Sequence, residues 1–152
     1  MMTCDMTPES LHTWTTFLRA EHHFNAFQSN DLVEFCGRLT GMYVRTLRVN
    51  GLRPITLNQS EFCVSMVLAC HARCKRSLPA PRVVEADTFL NAKVICDILD
   101  TWSVPTHGPQ WIFTTIFKLR KRLTHHHTLI ENNEAGYRLS TPAFNITIPH
   151  SL

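Results

Sequence analysis

Apolar and polar positions recur at two different periods along the chain. Leu11, Trp14, Phe17 and Leu18 return every three or four residues behind Thr7-Pro8-Glu9, which offers an N-cap, a proline at the first helical position and an early acid. This pattern predicts an amphipathic helical arm ending near Arg19, with a break at Gln28-Ser29-Asn30-Asp31. From Leu32 the period shortens, and residues 32–39, 43–49 and 52–57 are short runs rich in β-branched, aromatic and leucine side chains. Asn50-Gly51 lies between the last two runs and accepts the paired positive φ angles of a type I′ turn, so 43–57 is predicted to be a hairpin. Gly37 and Gly41 mark a bulge or turn before it. A small N-terminal antiparallel sheet is therefore expected.

Asn58-Gln59-Ser60-Glu61 has the form of a capping box, in which the Asn side chain accepts from an orphan amide and Glu61 reaches back. The helix it starts is apolar on nearly every side from Phe62 to Cys70, which makes it the most buried helix expected, and Pro79 and Pro81 forbid its continuation. A second helix is predicted over 86–102, with Phe89, Leu90, Val94, Ile95, Ile98, Leu99 and Trp102 facing inward. The loop 103–109 leads to a third, 110–123. Its stripe Ile112, Ile116, Leu119 and Leu123 repeats at four, three and four residues, leaving Thr114, Thr115, Lys118, Lys121 and Arg122 to face outward. Two strands, 129–132 and 136–140, joined at Asn133-Glu134-Ala135, complete an α+β order of sheet, three helices and hairpin.

Composition changes this picture little. A chain of 152 residues, 44% hydrophobic and 18% charged with five Gly and eight Pro, suits one compact domain and excludes disordered or collagen-like classes. No run approaches the ~20 apolar residues of a membrane helix, and residues 1–8 lack the basic-then-apolar order of a secretory signal, so a cytoplasmic location with no membrane partner is expected. The six cysteines, Cys4, Cys36, Cys63, Cys70, Cys74 and Cys96, are scattered through core-like segments and are expected to be reduced thiols.

Charge distribution is more informative. Residues 1–107 are balanced, so the whole net charge of +3 falls in 108–152, where Lys118, Arg120, Lys121, Arg122 and Arg138 face only Glu131 and Glu134. Cations near a helix C-terminus are favourable through the dipole alone. A helix that buries one side and shows Gln110, threonines and lysines on the other also has the form of a major-groove reader.

Three stretches carry a family resemblance across roughly residues 32–141: Val49-Asn50-Gly51 through Leu57 followed by Glu61-Phe62; the IFKLRKRL run from Ile116 to Leu123; and Ala135-Gly136-Tyr137-Arg138-Leu139. Together they resemble the OmpR/PhoB-type winged-helix DNA-binding domain of bacterial transcription regulators. The resemblance implies a winged helix-turn-helix, with an N-terminal antiparallel sheet, a three-helix core and a C-terminal β-hairpin wing, acting as a sequence-specific transcription regulator of double-stranded DNA. It divides the chain into an arm (1–31), the DNA-binding domain (32–141) and a tail (142–152). Carried over residue by residue, it places Thr114, Thr115 and Lys118 at base edges and Lys121 and Arg122 at phosphates, and it counts Gln110 and, in the wing, Asn133 and Arg138 among the DNA-binding residues. It also implies contact of loop 103–109 with RNA polymerase.

Departures from the family pattern qualify this expectation. The stretch before the sheet is too short for a receiver module, so control is expected from a homodimer or heteromeric regulator held by the N-terminal arm. Glu134 at the wing tip would repel phosphate, and Phe113 and Phe117 stand where more polar residues are usual. These features favour the alternative of a winged-helix protein-interaction module that partners another regulator without binding DNA strongly. His125-His126-His127 cannot all aim at one metal from a regular element, and no nucleophile elbow, phosphate loop or paired carboxylate motif appears. Neither a cofactor nor an enzymatic activity is expected. The histidine run is instead expected to gain charge near the DNA backbone as pH falls.

Overall fold

A computed structural model describes Phe27, Ser29 and residues 31–76 and 85–149; the expected arm helix lies outside these residues. The elements run β1 (Val33–Cys36), β2 (Arg45–Val49), β3 (Ile55–Leu57), α1 (Gln59–Arg76), α2 (Ala92–Thr101), α3 (Pro109–Arg122), β4 (Ile130–Asn133), β5 (Gly136–Leu139) and β6 (Phe144–Thr147). Among the described residues the fold is α+β: three helices, a four-stranded mixed sheet and a separate hairpin.

The sheet has the order β3-β2-β1-β6. Period-two alternation buries Val33 and Phe35 of β1 and Leu47 and Val49 of β2 beneath the helices. Asn50 and Gly51 both take positive φ, and the Leu52 amide donates to the Val49 carbonyl, which closes the turn expected there. Asn50 also fastens the turn to the start of β1, since its amide donates to the Leu32 carbonyl and its Oδ1 accepts from the Leu32 amide, each at 2.8 Å.

Two expectations about this sheet need correction. Residues 142–152 are not simply a tail, because β6 pairs with β1 from Val33↔Phe144 to Cys36↔Thr147. That pairing is parallel, so the sheet is mixed rather than antiparallel. Phe144 and Ile146 are buried, and the Phe144 ring meets Phe35 edge to face at 5.9 Å.

α1 is buried from Phe62 to Cys70 on every side, as its composition requires. Its capping box forms: Asn58 Oδ1 accepts from the Glu61 amide at 2.8 Å, and Glu61 Oε1 accepts from the Asn58 amide at 2.9 Å. The second helix is shorter than expected. Leu90 exchanges two 2.8 Å backbone hydrogen bonds with Tyr137 of β5, so its peptide groups serve a strand, and Asn91 then caps α2 through Oδ1 to the Val94 amide. Cys74 is disulfide-bonded, which corrects the expectation of reduced thiols throughout. None of the described helices is long and apolar enough to cross a membrane.

Candidate nucleic-acid interface

α3 begins at Gly108, whose φ of 89° turns the chain, and Pro109 occupies the first helical position, where a missing N–H costs nothing. Ile112, Ile116 and Leu119 pack inward, and Leu123 behind the last turn is also buried. At 100° per residue, a second series with the same spacing but displaced by two residues must lie on the opposite side. That series is Gln110, Thr114, Phe117 and Lys121, and all four are exposed.

The helix contains no acidic residue. Two of its four cations are engaged by neighbouring elements. Arg120 Nη2 donates to the Ile130 carbonyl at 3.0 Å and to Asn132 Oδ1 at 2.8 Å, which fixes the hairpin along one flank. Arg122 Nε lies 2.6 Å and 2.8 Å from the two carboxylate oxygens of Glu61, tying the other flank to the start of α1. Glu61 is only 1% exposed, so this contact neutralises a carboxylate that burial would otherwise destabilise. Lys118 and Lys121 remain exposed, and neither forms an ion pair among the described residues. Lys121 Nζ rests 4.6 Å from the Phe117 ring centroid, within cation–π range.

The predicted site residues divide accordingly. Gln110, Thr114, Lys118 and Lys121 share the exposed side of α3, where Thr114 Oγ1 donates back to the Gln110 carbonyl at 3.3 Å. Asn133 is exposed at the hairpin turn, its Oδ1 accepting from the Ala135 amide at 2.7 Å. Arg122 reaches the surface but is held by Glu61. Thr115 and Arg138 are corrected. Thr115 is 5% exposed because it stands three residues after Ile112 and four before Leu119, on the buried side of the wheel. Arg138 is 1% exposed: its Nε and Nη2 donate to Glu131, Nη1 donates to Thr88 at 2.8 Å, and its guanidinium stacks 4.5 Å from the Phe89 ring.

The residue missing from the sequence-derived set is Phe117, at the centre of the exposed series and 60% exposed. Its position was available from the four-three-four spacing. Phe113 lies towards the hairpin, 45% exposed, its ring 6.3 Å from that of Tyr137. Among the described residues no group of three or more His, Cys, Asp or Glu side chains forms a cluster able to hold a metal ion. No family model, curated protein or solved structure matches the chain.

Proposed function

We propose that this chain is a winged-helix protein that binds duplex DNA in a sequence-dependent manner and regulates transcription, as its resemblance to the OmpR/PhoB-type domain implies. In this reading α2 and α3 are the helix-turn-helix pair, α3 enters the major groove and the β4–β5 hairpin is the wing. One observation carries it: α3 turns an acid-free side bearing Gln110, Thr114, Lys118 and Lys121 directly away from the core. A helix about 10–12 Å across suits a major groove about 12 Å wide, and Gln, Thr and Lys are residue types that address base edges and phosphates. Hairpin and helix are locked together by Arg120, so the wing would approach the duplex with α3 as one unit. Glu134 at the exposed tip argues for a wing that contributes few phosphate contacts.

The test is fluorescence anisotropy of the full chain with pooled genomic fragments at low and physiological salt. Binding that falls steeply with salt and discriminates among fragments supports the reading. Failure to bind at low salt overturns it. The protein-interaction module is the second reading, favoured by the exposure of Phe113 and Phe117, and predicts that failure together with a stable protein complex.

A further inference from the structure

We infer that Phe117 reads the C5-methyl group of a pyrimidine in the major groove, so that the preferred site carries a thymine opposite the middle of α3. This rests on the DNA-binding reading above and names the feature that the bound sequence must contain.

Phe117 stands midway along the exposed series, between Thr114 and Lys121, and its ring is 60% exposed, which lets it reach the floor of a groove that α3 enters. A phenyl ring has no donor or acceptor for a base edge. Placed against guanine, adenine or the cytosine amine, it would strip water from polar atoms and return no hydrogen bond. The only apolar group that the standard base pairs present in the major groove is the thymine methyl.

The surroundings select this occupant over an apolar protein surface. Lys121 touches the ring, Thr114 and Gln110 lie one and two turns before it on the exposed side, Lys118 follows it in the helix, and α3 has no acidic residue, so the apolar spot sits among charge complementary to a polyanion. Phe113 is turned towards Tyr137 of the hairpin, which leaves Phe117 as the ring facing outward from the helix centre. The same methyl group occurs on 5-methylcytosine, which is its second source.

Duplexes bound by the full chain are first selected from a random library, and affinities are then measured by anisotropy. Each thymine of the selected site is replaced singly by deoxyuridine, which removes the methyl and keeps every hydrogen-bonding group. At one position the wild type is expected to lose about threefold to fivefold in affinity, the effect of one buried methyl. Phe117→Ala should bind the thymine and uridine duplexes equally, whereas Phe117→Leu should keep most of the preference. With cytosine at that position, methylation at C5 should improve wild-type binding by a similar factor, and thymine remains the favoured base if the site reads thymine rather than methylated cytosine. Because the ring is exposed, thermal melting of Phe117→Ala should match wild type. Indifference of the wild type to uridine at every position, or an unchanged thymine preference in Phe117→Ala, overturns the inference and leaves DNA binding standing. Failure to select any duplex overturns the DNA-binding reading and this inference with it.

Discussion

At the scale of single residues, Gly136 is where backbone geometry permits least. Its φ is 136°, and a Cβ built on it would lie 2.0 Å from the Leu90 carbonyl oxygen and 2.6 Å from the Asn91 amide nitrogen. Both obstacles are backbone, held by the Leu90–Tyr137 hydrogen bonds, so no side-chain rotation relieves the overlap. Gly136→Ala is expected to destabilise the fold by roughly 3 kcal/mol, measured as a lower urea midpoint at unchanged m-value. His71 makes a different prediction. Burial pushes its pKa below the usual value and Lys75 adds to the shift, opposed by the Asp87 carbonyl, to which Nε2–H donates at 2.7 Å. A lowered folded-state pKa means that the fold favours neutral imidazole. The associated stability is present above the unfolded value of 6.5 and is lost as pH falls below it. Melting temperature should therefore fall between pH 7 and pH 5 more in wild type than in His71→Gln, which keeps a donor and cannot titrate. In the sequence Gly136 stands out only as part of the Gly136-Tyr137-Arg138 run, and nothing there reveals the burial of Arg138. A charged residue on a hairpin has no local mark of burial, and its pocket comes from Thr88 and Phe89, about fifty positions earlier.

Among the elements, α1 and the Asn50-Gly51 turn were legible because their signals are local: a reciprocal cap, an unbroken apolar run, a dipeptide that tolerates positive φ. The start of α2 was misjudged because apolar spacing continues backward through Leu90 and Phe89, although Asn91 marks the true cap. β6 was missed for the opposite reason. Phe144, Ile146 and Ile148 alternate with polar residues as a strand requires, yet the partner of β6 lies more than a hundred residues earlier, and parallel pairing announces itself by no turn. The consequence is large, because Phe144 also lies beneath Arg73 of α1, whose guanidinium is 3.9 Å from the ring and whose Nη2 donates to the Phe144 carbonyl at 2.5 Å. Burial lowers the Arg73 pKa to about 10, which leaves it charged at neutral pH, so both contacts serve a cation out of water. Phe144→Ala should cost about 3–5 kcal/mol in urea unfolding, a large share of the 5–15 kcal/mol typical of a domain. A chain truncated after residue 141 should lose cooperative unfolding altogether; an intact transition would show that the sheet does not need β6.

For the whole molecule, the formal charge excess exaggerates the field available to a polyanion. The sequence places all of it in 108–152, but folding neutralises Arg138 with Glu131 and Arg122 with Glu61, and turns Arg120 onto β4. What remains on the proposed reading side is Lys118 and Lys121, so the site was legible as a helix and a sign of charge, but not in which cations stay available. The distinction is measurable, because each phosphate neutralised contributes about 0.9 to the slope of log affinity against log salt. Lys121→Ala should lower that slope by about this amount on every bound sequence, with little change in melting temperature, since the side chain is exposed. Arg138→Gln should do the reverse, lowering the melting temperature through its buried contacts with Glu131 and Thr88 while leaving the slope of the folded protein unchanged. If the Arg138 variant flattened the salt dependence as much as the Lys121 variant, the hairpin rather than the exposed side of α3 would hold the phosphates, and the assignment of α3 as the principal electrostatic contact would be wrong.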